Sequence, residues 1–211
     1  LSRWDVDAAE ARVETFAGRQ ALRLQGGTAL LKDVAFTDGV IAFDMAFPSA
    51  RNFTGAVWRW QGPGDYEHFY VRPHMSGNPD ANQYTPVFNG VSGWQLYAGA
   101  GYGAPTPYPF DAWMPVRIVV SGRQAEVYLG DLDAPALFVP DLKRDVRTGR
   151  VGLQGGGLAP TYFSNVRVTP QERPALKGRA PEAVTAPAGS VLAWQVSDAF
   201  AEADLEGRTS L

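Results

Sequence analysis

The strongest constraint on how this chain can fold is its punctuation. From Val40 to Thr169, short apolar or alternating runs are separated by Gly, Pro, Asn and Asp. The runs Val40–Phe47, Gly55–Gln61, Glu67–His74, Trp94–Ala100, Val116–Ser121, Ala125–Leu129, Arg150–Gln154 and Tyr162–Thr169 each read as a strand. Ala21–Leu24 and Ala29–Lys32 add two more upstream, and Asp7–Arg12 reads as a helical turn or an irregular lead-in. Gly122-Arg123 is a tight connection between two of the runs, a hairpin signal. With 23 Gly and 16 Pro among 211 residues, turns are plentiful and long helices are not expected. Many short strands between turn signals indicate a β-sandwich or barrel. The expected fold is therefore all-β, a two-sheet antiparallel β-sandwich over residues 1–170.

After Pro170 the composition shifts to Pro, Ala and charge, which predicts a connector over 171–211. Within it Ser190–Val196 reads as a strand and Asp198–Leu205 as a short helix capped by Ser197 or Asp198. This tail is too small for a core of its own. It is expected to dock on the sandwich or to lead to a second domain or subunit.

Composition removes several kinds of chemistry. The absence of cysteine excludes disulfides, thiolate metal sites and cysteine nucleophiles. A net charge of -3 gives no basic footprint for nucleic acid. No stretch approaches the ~18–20 apolar residues of a membrane helix, and no signal peptide precedes Trp4. A serine nucleophile elbow is missing, and Gly155-Gly156-Gly157 leads into Ala159-Pro160, so it reads as a turn and not a phosphate loop.

Side chains alternate across a strand, so parity assigns faces. In Val40–Phe47, the residues Ile41, Phe43, Met45 and Phe47 face the core, which leaves Asp44 outward or in a groove. In Glu67–His74, Phe69, Val71 and Pro73 take one face, while His68, Tyr70, Arg72 and His74 take the other. The chain has two histidines and both fall in this row. Flat rings and guanidinium donors suit ligand contact better than a solvated face. Trp58, Trp60 and Trp113 are expected in the core, which puts Arg59 on the opposite face beside Asp44 and the Arg72 row. The segment Arg72–Tyr97 is dense in amides and aromatics, including Tyr84, Trp94 and Gln95. Such a loop either walls a site or caps its own turns. The candidate ligand-binding set is Asp44, Arg59, His68, Tyr70, Arg72, His74, Tyr84 and Gln95. Amides, Arg, His and aromatics together are what a saccharide needs: hydrogen bonds to hydroxyl pairs and a face to stack on the ring.

No cofactor motif is present. His68 and His74 would lie ~20 Å apart along a strand, too far to share a zinc. A structural calcium, if bound, would use oxygen donors such as Asp80 and Asn82, or Asp131 and Asp133. Glycoside hydrolysis needs two carboxyls about 5–5.5 or 6.5–9.5 Å apart. Asp44, Asp65 and Glu67 are scattered candidates, with a histidine as partner.

The phrases Asp38–Asp44, Phe53–Arg59, Trp113–Val120 and Tyr162–Val166 resemble the concanavalin A-like lectin/glucanase superfamily. The laminin G-like and 3-keto-disaccharide hydrolase-like bacterial branches are the most similar. The resemblance spans roughly Ala21 to Thr169 and implies a two-sheet jelly roll with a concave face that binds or cuts sugars. It would place Asp44, Arg59, His68, Tyr70, Arg72 and His74 on or near that face. Glu202-Ala203-Asp204-Leu205-Glu206 is similar to the acidic strand of laminarinase-type glucanases, but stands in helix-forming company and not on the expected strand. Three functions follow as expectations: a carbohydrate-binding domain, a glycoside-acting hydrolase using the same groove, and an adaptor acting through the tail from Val191. The first two imply a saccharide ligand and a periplasmic or extracellular location.

Overall fold

A computed structural model describes residues 1–178. The tail strand, the tail helix, the Glu202–Glu206 set and the adaptor contact through Val191 all lie outside the described residues. Twelve strands are present among those described: β1 (Trp4–Phe16), β2 (Arg19–Leu31), β3 (Gly39–Ala46), β4 (Thr54–Gly62), β5 (Asp65–Val71), β6 (Asn82–Phe88), β7 (Val91–Ser92), β8 (Met114–Ser121), β9 (Gln124–Leu129), β10 (Leu137–Val139), β11 (Arg150–Gly155) and β12 (Thr161–Pro170). A single 3-10 turn, Pro73–Met75, follows β5. No helix among the described residues is long and apolar enough to cross a membrane.

All pairings are antiparallel, and they run β10-β9-β8-β3-β12-β2-β11-β4-β5-β6-β7. The junction is β2. Leu22–Leu24 pairs with β12, Gly27–Leu30 pairs with β11, and β1 runs along its other side. The β1–β2 hairpin therefore belongs to two layers in succession. It bends at Gly26 (φ +67) and Gly27 (φ +151), where a Cβ on Gly27 would sit 2.1 Å from the Asp7 carbonyl oxygen. Only glycine fits such an approach. The expected two-layer sandwich is thus one curled antiparallel sheet whose two arms face each other.

The core lies between the arms. Ile41, Phe43 and Met45 of β3 and Val116, Ile118 and Val120 of β8 come from one arm. Ala56 and Trp58 of β4, Phe69 and Val71 of β5 and Tyr84 of β6 come from the other. Burying each large apolar side chain contributes about 1.5–3 kcal/mol.

Several local expectations are corrected. Asp7–Arg12 is neither helical nor irregular but lies inside the thirteen-residue β1, which the two-residue turn Ala17-Gly18 (both φ positive) folds onto β2. Its burial is intermittent and its charges Asp5, Asp7, Glu10, Arg12 and Glu14 hide the strand pattern. Trp94–Ala100 forms turns, and the strand beside β5 is instead Asn82–Phe88, inside the segment read as a loop. Pro86 interrupts the strand signal there. Trp60 and Trp113 are only half-buried: Trp60 stacks on Tyr66 and Trp113 packs edge-on against Phe16.

A bulge explains Trp60. Arg59 adopts φ +50 and the β4–β5 register shifts between Trp58 and Gly62. The extra residue resets the alternation. Trp58 and Arg59 are both 1 % exposed, and Trp60 turns outward. Inside, Arg59 Nη2 donates to Asp38 Oδ1 (2.8 Å) and the Gly122 carbonyl (2.6 Å), and its Nε donates to the Thr37 carbonyl (2.9 Å). Arg59 thus pins β4 to the β8–β9 turn across the core.

Candidate functional site

The site lies on the face of the second arm that points away from the core. Ala56, Trp58, Phe69, Val71 and Tyr84 point inward, so their neighbours point out. Register places these neighbours in rows: Gln154, Gly55, Tyr70 and Gln83 across four strands, then Gly152, Val57, His68 and Thr85, then Tyr66, Val87 and Ser92. Gly55 and Gly152 give the rows a low side. A Cβ on Gly55 would meet the Phe69 carbonyl oxygen at 2.1 Å, so no side chain fills that position.

Loops wall this face. The β3–β4 loop brings Arg51 and Phe53, the segment after β5 brings Arg72, His74 and Asp80, and the turn after β7 brings Trp94. Together they enclose a groove of about 510 Å³. Its floor is deep enough that His68 and Tyr70 are only 6 % and 5 % exposed, although they face away from the core. Such a concave site, lined by aromatic rings together with convergent polar groups, has the form of a small-molecule site.

One network sets its wall. Arg72 Nη2 donates to the Tyr70 hydroxyl (3.1 Å) and to Gln83 Oε1, while Nη1 donates to the Asp80 carbonyl (2.8 Å) and carboxylate (3.2 Å). The Tyr70 hydroxyl donates to Gln83 Oε1 (2.8 Å). Gln83 Nε2 in turn donates to the carbonyls of Trp94 (2.7 Å) and Tyr97. Arg72 is therefore largely spent on holding the Asp80 loop and the Trp94 turn against the sheet.

Aromatic rings continue the lining. Phe53 meets Tyr70 and His74 edge-on, with centroids 5.7 and 5.5 Å away, and the guanidinium carbons of Arg51 and Arg72 lie 5.6 and 5.9 Å from its centroid. Tyr66, at one end of the groove, stacks on Trp60 at 4.3 Å. Trp94 stands 48 % exposed at the rim.

Two buried atoms on the floor have no hydrogen-bond partner, Nε2 of His68 and Oε1 of Gln154. A buried polar atom without a partner costs ~1–3 kcal/mol. Burial pushes His68 down to about 3, opposed in part by the Gln154 side chain, so its ring is neutral. Burial and then the Arg51 and Arg72 guanidiniums also lower His74, against a smaller opposing pull from Asp80.

Four expected residues, His68, Tyr70, Arg72 and His74, share this groove, although His74 stands on the 3-10 turn and not on the strand itself. Gln95 lines an adjoining depression with Arg72, Asp80 and Trp94. Three expectations fail. Arg59 lies in the core because of the bulge. Tyr84 is fully buried, since its pairing with Phe69 turns it inward; its hydroxyl donates to Glu67 Oε2 (2.5 Å) and accepts from the Lys143 amide (2.7 Å). Asp44 sits on the other arm, where Arg19 (2.6 Å) and Asn165 (2.7 Å) donate to it.

The scattered acids do not gather either. Glu67 points into the core, with Arg59 Nη1 3.8 Å away, and burial raises its carboxyl to about 7. Asp65 pairs with Arg144 and Arg147. No group of three His, Asp or Glu among the described residues is arranged to hold a metal. Asp80 is engaged by Arg72, Asn82 by Ala104 and Thr106, and Asp131 by the Asp133 amide.

Sequence reasoning missed Arg51, Phe53, Tyr66 and Gln154. Parity along β11 was a usable signal for Gln154, because Val151 and Leu153 are core positions. Arg51 and Phe53 lie in a loop, where no periodicity exists to read.

The curled antiparallel sheet with a groove on one outer face is a jelly-roll β-sandwich. Solved structures share it. The carbohydrate-binding module CBM66 from Bacillus subtilis superposes with a TM-score of 0.55 at 16 % identity, over 78 % of this chain and 93 % of that one. A native glycosidic hydrolase gives 0.52 at 14 %, over 82 % and 92 %. A protein of unknown function with a galectin-like fold from Bacillus subtilis gives 0.54 at 11 %, over 78 % and 89 %. No protein-family model matches the chain, and no curated protein matches it.

Proposed function

We propose that the protein is a carbohydrate-binding domain that holds a saccharide in the His68–Tyr70 groove without cleaving it. The inventory of that groove carries the reading. Among the described residues it offers ring faces from Phe53, Tyr66 and Trp94 and the exposed Arg51 guanidinium, yet its only carboxylate is Asp80. A saccharide presents an apolar C–H face and a ring of hydroxyls, and each hydroxyl can donate and accept. Hydrolysis asks for a second carboxyl within about 9.5 Å, and for a proton carrier that titrates near the working pH. Glu67 faces the core, so among the described residues no second carboxyl lines the groove. The fold is shared with a carbohydrate-binding module and with a glycosidic hydrolase, so it is the groove residues that favour binding. A periplasmic or extracellular location, where glycans are encountered, accords with this role.

A glycan array, followed by calorimetry on the best ligand, tests the reading. Trp94→Ala removes a rim ring that is half exposed and carries little of the core. It is expected to weaken binding about tenfold, ~1.4 kcal/mol, with an unchanged melting temperature. Turnover of any bound glycoside, or unaltered affinity in Trp94→Ala, would overturn it.

A further inference from the structure

The charge in the groove is one-sided. Arg51 and Arg72 flank one Phe53 ring, and among the described residues Asp80 is the single carboxylate facing them. Asp80 is already engaged by Arg72 at 3.2 Å, with its side chain 55 % exposed. Arg51 has no carboxylate within ion-pair distance among the described residues, and its side chain is exposed at the groove mouth. With both histidines lowered, the lining carries one net positive charge in a chain whose net charge is -3. The remaining arginines with a close carboxylate, such as Arg144 and Arg150, are paired on the protein itself. A guanidinium without a carboxylate partner among the described residues, exposed beside a ring at a groove mouth, has the donor geometry for a carboxylate carried on a sugar ring.

From this juxtaposition we propose that the saccharide is acidic: a uronic acid unit binds at the groove mouth with its carboxylate on the Arg51 guanidinium. This rests on the saccharide reading above and names the class of sugar.

The test compares oligouronides of galacturonate, glucuronate and alginate type with their methyl esters, with neutral oligosaccharides and with a sulfated disaccharide, by calorimetry on the full chain. A uronide is expected to bind about tenfold more tightly than its methyl ester. That preference is expected to shrink as salt is raised, because the Arg51 end is open to solvent. Arg51→Gln should collapse the acid-over-ester preference, and Arg51→Lys should restore part of it. Melting temperatures of both variants report the fold separately. Equal affinity for acid and ester, an undiminished preference in Arg51→Gln, or binding of the sulfated sugar in place of the uronide would overturn the proposal. If neutral saccharides bind and uronides do not, the acidic class falls while the saccharide reading stands. If no saccharide of any kind binds, both fall.

Discussion

At the scale of residues, two neighbours on β5 pull stability in opposite directions with pH. Glu67 faces the core, where burial raises its carboxyl from 4.5 to about 7. Its folded form holds the proton more tightly than the unfolded chain does. The stability it contributes is thus present below about pH 4.5 and lost as pH rises through about 7. His68 faces the groove, lowered from 6.5 to about 3. Its contribution is present above about pH 6.5 and lost as pH falls toward 3. Between about pH 4.5 and 6.5 the two slopes oppose, each pH unit of displacement being worth about 1.4 kcal/mol. Urea unfolding across this range is expected to give a shallow profile for the native protein. Glu67→Gln should expose the histidine slope, so that stability falls on acidification. His68→Gln should expose the carboxyl slope, with stability falling as pH rises toward 7. Parallel profiles for all three proteins would show that neither group titrates as its surroundings imply.

At the scale of elements, the β1–β2 hairpin decides whether the two arms stay together. Gly27→Val puts a branched side chain where a Cβ already meets the Asp7 carbonyl oxygen at 2.1 Å, on a backbone at φ +151. The variant is expected to lose at least about 2 kcal/mol, read as a lowered midpoint in denaturant. A midpoint like that of the native protein would mean that β1 can shift without cost. Elements also show where sequence reading succeeds and where it stops. The alternation in β3, β5 and β8 is clean because one face of each is core, so the turns and faces of these strands were legible. Because β5 reads cleanly, the row His68, Tyr70, Arg72 and His74 was legible as well. Parity fails at Arg59, where one bulged residue inverts the faces of Arg59 and Trp60. It is uninformative in β1, which touches the core only intermittently, and in β6, where Pro86 breaks the pattern and the core-facing side chain is a tyrosine. Loop residues such as Arg51 join the groove only through tertiary structure.

At the scale of the whole molecule, the arms cannot separate without breaking β2, and Arg59 ties them again from within. Residues 1–178 are therefore expected to unfold in one transition. Far-ultraviolet dichroism, which follows the sheet, and tryptophan fluorescence, which includes the buried Trp58, should give coincident midpoints. Separated midpoints would indicate that the arms melt independently. The bent hairpin has one more consequence. Along thirteen residues β1 has a partner on one side only among the described residues, so its other edge offers amides and carbonyls on which a foreign strand could grow. The acidic side chains of Asp5, Asp7, Glu10 and Glu14, together with the kink at Gly26-Gly27, make that edge a poor template. The same charges that hide β1 from a reading of the sequence protect the protein against fibril-like self-assembly.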